Sequence, residues 1–169
     1  MEIMLIIVLS VIVWSILNCF LSKQGWKVRI WKVLNWGMFM GTLSIVLYIT
    51  FLSRSVSEEH EFCIIPFYSF YLAKENVEWY RTMTMNVFLF VPLGLSMPTV
   101  LLNRTNVKIS RVVWMILALT IGIEILQFVF CLGRAEIDDV LCNLAGGLIG
   151  ISSYAVAKRV KKNTDEVQA

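Results

Sequence analysis

Residues 112–132 read VVWMILALTIGIEILQFVFCL, twenty-one positions in which Glu124 is the sole charged side chain. At about 1.5 Å per residue, a helix of this length crosses the roughly 30 Å of hydrocarbon in a bilayer. The stretch therefore reads as a membrane span carrying one deliberate polar face. Outward from it, four more windows have the same character, at 3–21, 33–52, 83–102 and 140–157. The chain of 169 residues is 58% apolar and 16% charged, a balance too lipid-like for a soluble domain of this length. These features predict an all-α integral membrane bundle of about five transmembrane helices, with residues 1–169 forming a single domain. The first window has no positive segment ahead of it and no small-residue cleavage pattern after it, so it reads as a retained helix.

Positive charge alternates between the connections. Lys23, Lys27, Arg29 and Lys32 follow the first window, Arg104, Lys108 and Arg111 separate the third from the fourth, and Lys158, Arg159, Lys161 and Lys162 follow the fifth; these are eleven of the fifteen lysines and arginines. The other two connections hold Arg54, Lys74, Arg81 and Arg134 among Glu58, Glu59, Glu61, Glu75, Glu78, Glu136, Asp138 and Asp139. The positive-inside rule then places the N-terminus outside and the C-terminus in the cytoplasm. Basic residues directly after a helix are ordinary topology markers beside anionic lipid, so no nucleic-acid partner is expected.

The 30-residue connection at 53–82 carries Phe62, Ile64, Ile65, Pro66, Phe67, Tyr68, Phe70, Tyr71, Trp79 and Tyr80. So aromatic a segment belongs at the headgroup level, as a belt or as a wall over a cleft between helices. Pro92 deprives the Phe88 carbonyl of its helical donor and predicts a kink in the third span. Gly146 and Gly150 have the small-xxx-small spacing that lets helix backbones approach closely. Cys63, Cys131 and Cys142 fall on the outer side and read as small buried residues, with a Cys131–Cys142 bridge as the alternative; no metal-type CxxC pattern occurs.

Polar residues gather towards the same end. Glu124 and Gln127 share one face of the fourth span, roughly 12 and 7 Å below its outer end at the helical rise. Asn86 and Asn143 lie roughly 5 Å inside the outer ends of the third and fifth spans by the same measure. Arg54 closes the second span, and Arg134, Glu136, Asp138 and Asp139 fill the turn between the fourth and fifth. A glutamate at such depth costs a few kcal/mol unless it faces the bundle with a partner, and Arg134 or Arg54 is the expected one. Asp138 and Asp139 precede the fifth window, where one of them suits a helix N-cap. The candidate ligand-binding set is Arg54, Asn86, Glu124, Gln127, Arg134, Asp138, Asp139 and Asn143, with Glu124 also the candidate acid or base.

Several pieces of sequence then form a series: Asn86-Val-Phe-Leu-Phe-Val-Pro-Leu-Gly94, Glu124-Ile-Leu-Gln127, Arg134-Ala-Glu-Ile-Asp-Asp139 and Asn143-Leu-Ala-Gly-Gly147 with Gly150, preceded by Arg54-Ser55 and Ile65-Pro66-Phe67. Over about residues 54–150 this series resembles, in order, the motifs of the VanZ-like family. The resemblance implies an association with resistance to glycopeptide antibiotics of the teicoplanin type.

Two functions from different classes follow. In the first, a multi-pass protein of the cell membrane recognises a lipoglycopeptide or cell-envelope amphiphile at the outer leaflet; arginines and amides engage the headgroup, and the aromatic connection holds the acyl chain. The second is an intramembrane enzyme acting on a lipid-linked envelope substrate, with Glu124 as acid or base and Asp138 and Asp139 as weak candidates for a divalent cation. The one histidine, His60, has no companion in sequence, and neither an HExxH nor a GxSxG element occurs. No cofactor is expected.

Overall fold

The computed structural model describes residues 13, 28–52, 54–101 and 108–167, with side chains at 13, 30, 33–52, 54–101 and 108–159. The first sequence window, 3–21, lies outside this set apart from Val13. Helix α1 (Val28–Leu47) passes directly into a π-helical turn (Tyr48–Leu52); α2 (Tyr68–Leu72) lies in the long connection, followed by α3 (Glu78–Leu101), α4 (Ile109–Val129) and α5 (Ile137–Val167). Two-residue strands β1 (Phe62–Cys63) and β2 (Ala135–Glu136) pair in parallel. The protein is an all-α membrane bundle, and among the described residues four segments are long and apolar enough to cross a bilayer: Val33–Leu52, Glu78–Leu101, Ile109–Val129 and Ile137–Arg159.

Helix α3 is the axis of the bundle. Its residues from Pro92 to Val100 are all buried, and it runs as one helix through both Pro92 and Pro98. Its most extensive partner is α5. The reason is glycine: a Cβ on Gly94 would overlap the carbonyl of Gly147, one on Gly146 the carbonyl of Val87, and one on Gly150 the carbonyl of Val91. Backbone packs on backbone along this seam, the gain available to helices that have no hydrophobic drive to associate in lipid. Gly94, set against Gly147 and beside Gly150, extends the close approach expected for Gly146 and Gly150.

Val46, Leu89, Phe90, Leu93, Met97, Val112, Ile116, Ile123 and Ile151 fill the middle of the bundle. A hydroxyl contact of 3.2 Å between Thr42 and Ser96 joins α1 to α3. The outward faces stay apolar, with Val33, Met40, Trp114, Ile125, Ile149 and Val156 exposed, as a lipid-contacting perimeter requires. A second cluster, Ala73, Met83 and Cys142 with Trp79 and Val87 against it, seats the end of the aromatic connection on α3 and α5.

Candidate functional site

The site grows from the turn between α4 and α5. Helix α4 ends as the amides of Phe130 and Leu132 fold back onto the carbonyls of Leu126 and Gln127, each at 2.9 Å, and left-handed Cys131 (φ 51°) and Gly133 (φ 103°) reverse the chain. Glycine suits the second position twice over: its φ disfavours a side chain, and a Cβ there would stand 3.2 Å from Nη1 of Arg54. The reversal leaves Arg134–Glu136 extended. Strand β2 then aligns Ala135 with Phe62 and Glu136 with Cys63, while the amide of Ser57 donates to the Cys131 carbonyl at 2.7 Å and that of Ala135 to Glu61 at 3.1 Å. The long connection is thereby stitched onto the turn.

Glu136 is the hub. Its amide donates to Oε2 of Glu124 at 3.0 Å, its Oε1 accepts from Nε of Arg134 at 2.7 Å, and its Oε2 accepts from the Ser69 hydroxyl at 2.5 Å. Arg134 in turn lies over the rings of Trp79, 4.9 Å from the centroid, and Tyr68, at 5.9 Å. Burial opposes the Arg134 charge, and the bond and charge of Glu136 outweigh it, holding the guanidinium above its ordinary pKa.

Asp138 and Asp139 have different tasks. The helix starts at Ile137, so both lie in its first turn instead of capping it. Asp138, 2% exposed, instead accepts the amides of Phe67 at 2.6 Å and Ser69 at 2.8 Å, one on each oxygen. It thus caps α2 and pins Phe67, a non-glycine residue in the left-handed region (φ 65°, ψ 14°). Asp139 is buried 3.9 Å from Nη2 of Arg54, whose own hydrogen bond is a 3.5 Å contact with the Leu132 carbonyl. Arg134 and Arg54 therefore go to Glu136 and Asp139, and Glu124 receives a backbone amide where an arginine was expected. Arg54 still acts on Glu124 through its charge.

Deeper amides join the spans. Nε2 of Gln127 donates to the Thr50 carbonyl at 3.0 Å, which the π-helical turn turns towards α4, and Nδ2 of Asn143 donates to Thr120 Oγ1 at 2.9 Å. Asn86 leans on Asp139. Oε1 of Gln127, Oδ1 of Asn143, Nδ2 of Asn86 and Nη2 of Arg134 are buried without a geometric hydrogen-bond partner. All eight residues singled out in the sequence thus lie at the end of the bundle that holds the α4–α5 turn.

The VanZ/LLP1 family model matches residues 5–158. The chain belongs to the VanZ/LLP1 family. That match extends the resemblance beyond residues 54–150, across the first two apolar windows of the sequence. Protein VanZ of Enterococcus faecium is 31% identical over 80 residues, 47% of this chain, and the chain spans about half (48%) of that curated relative. No solved structure matches.

In this VanZ-family chain, sequence reasoning left Glu136, Ser69, Thr50, Thr120, Tyr68 and Trp79 outside the site. Glu136 had a legible signal: Arg134 and Glu136 are two apart, hence on one side of an extended strand. The others are reached only through tertiary contact. His60 does have neighbours, with Nδ1 2.6 Å from the Phe128 carbonyl and 3.2 Å from Sγ of Cys131. Cys63, Cys131 and Cys142 are free thiols. Among the described residues no three His, Cys, Asp or Glu side chains group as a metal site, and both oxygens of Asp138 are already committed to amides.

Proposed function

We propose that this VanZ-family protein recognises the headgroup of an amphiphile, a lipoglycopeptide or a cell-envelope lipid, at the outer leaflet of the cell membrane. One observation carries the reading: a layer of buried carboxylates and partly buried arginines is joined directly to a loop with an exposed apolar face. Glu136 and Asp138 hold that loop from below, while Ile64, Ile65, Phe67, Phe70 and Tyr71 remain exposed above. Such a face suits the headgroup and upper acyl region, where aromatic rings are favoured. Arg134 supports the polar half, because its Nη2 is buried with no acceptor while Nε is held by Glu136. A guanidinium oriented by one carboxylate still offers its remaining donors to a ligand phosphate or carboxylate. The association of the family's namesake with teicoplanin resistance supports a lipoglycopeptide as one ligand.

The test combines cells and purified protein. Expression in a teicoplanin-susceptible bacterium should raise the inhibitory concentration, and protein in nanodiscs should bind a fluorescent lipoglycopeptide or envelope-lipid vesicles saturably. Unchanged susceptibility with normal membrane insertion would remove the resistance role. Failure to bind either amphiphile would remove recognition.

A further inference from the structure

We infer that the layer between α4 and α5 seats a primary ammonium group, with its three N–H donors on Glu124, Asp139 and a buried amide oxygen from Gln127 or Asn143. This deepens the proposed recognition role, and rests on it for the ligand's delivery, by naming the chemistry that is recognised. The argument begins with charge. Four carboxylates, Glu124, Glu136, Asp138 and Asp139, are buried at this end of the bundle. Glu136 is held by Arg134 and Ser69, and Asp138 by two amides. Glu124 accepts the Glu136 amide and Asp139 has Asn86 beside it, but the one cation near both is Arg54, which is 3.9 Å from Asp139 and 29% exposed. Burial makes two carboxylates beside one loosely held positive group costly to ionise, so the layer takes up either a proton or a cation.

Hydrogen bonding points the same way, independently of charge. Gln127 is 0% exposed and Asn143 2% exposed, and the carbonyl oxygen of each lacks a donor. Gln127 lies one turn above Glu124 on α4, and Asn143 one turn below Asp139 on α5. On these antiparallel helices Gln127, with its Nε2 on the Thr50 carbonyl, and Asn143 stand one turn to either side of the carboxylate layer, each with a free amide oxygen. The Nδ2 of Asn143 is already tied to Thr120, one turn below Glu124. The layer is therefore bracketed by unused acceptors. An ammonium has three donors and no acceptor, which matches this set. A calcium ion needs six to eight oxygens and fits poorly by comparison. Arg54, being partly exposed and weakly bonded, is the residue that yields when the ligand enters.

Two sources share this chemistry: the amine of a lipoglycopeptide and an ethanolamine-type lipid headgroup. The experiment uses the full chain in phosphatidylcholine nanodiscs, whose headgroup has no N–H donor, titrated with ethanolamine, choline, sodium and magnesium. Thermal unfolding is the readout. Ethanolamine should stabilise saturably, and choline should bind about tenfold more weakly or worse, the order expected for losing charge-assisted hydrogen bonds. Equal protection by choline, sodium or magnesium, or no response to ethanolamine, would overturn the inference without any variant. Glu124→Gln and Asp139→Asn should each abolish the ethanolamine response. Phosphatidylethanolamine vesicles and a lipoglycopeptide with and without N-acetylation then identify the source. An ethanolamine response without amphiphile binding overturns the recognition role and leaves the ammonium site. Amphiphile binding that ignores N-acetylation, with no ethanolamine response, does the opposite.

Discussion

Glu124 and Arg134 separate charge from architecture most cleanly. In Glu124→Gln the amide oxygen can still accept the Glu136 amide, so the fold keeps its bond while the site loses a charge. We expect unchanged melting in detergent together with lost ligand binding and resistance; a variant as stable and as active as the parent would take Glu124 out of the site. Arg134→Gln differs because it leaves Glu136 buried without its cation, an effect of about 3–5 kcal/mol. Its melting temperature should fall, and ligand binding should fall further than folded protein does, because the donors offered to the ligand are lost as well. Asp138 shows why an isosteric change is not always mild. Its two oxygens each accept an amide, whereas Asn offers one acceptor and one donor, so Asp138→Asn should cost about 1–3 kcal/mol. Limited proteolysis should then cut within residues 64–72 sooner than in the parent; an equally resistant loop would show that the clamp on Phe67 is dispensable.

Helices α3 and α5 hold the site at the spacing their glycines allow. Alanine at Gly94 or Gly146 would drive a methyl group into a backbone carbonyl, and a carbonyl cannot swing aside as a side chain can. Each substitution should cost about 1–3 kcal/mol or more by overpacking. Gly122 on α4 and Gly37 on α1 have nothing within 4 Å of an added Cβ. Alanine there should leave stability within about 1 kcal/mol of the parent. Detergent melting curves of the four variants provide the comparison, and equal losses at all four would mean that backbone contact is not what joins α3 to α5. The α3–α5 seam also bears on the site, since Asn86 and Asn143 ride on these helices.

For the whole molecule, the prediction concerns which way it faces. The proposed recognition role requires the aromatic connection to be outside. In a background lacking the four native cysteines, an impermeant thiol reagent on intact cells should label Glu75→Cys and spare Lys108→Cys. The reverse pattern would place the carboxylate layer in the cytoplasm and end the outer-leaflet reading.

At this same scale, sequence alone determined that the chain is a helical membrane bundle, because lipid allows a spanning backbone few other ways to satisfy its polar groups. It also placed Arg54, Asn86, Glu124, Gln127, Arg134, Asp138, Asp139 and Asn143 near one end of the spans, since rise per residue converts position into depth. Gly146 and Gly150 announced a close approach through spacing, though Gly94, which meets Gly147 and Gly150 across the seam, did not. Tertiary structure decided the pairing. Whether Arg134 meets Glu124 or Glu136 depends on the reversal at Cys131 and Gly133. Whether Asp138 caps its own helix or α2 depends on the path of a connection about 70 residues distant in sequence. Helical periodicity fixes which residues share a face, but a charge or an amide chooses its partner by distance, and that distance exists only once the loop has folded back onto the turn.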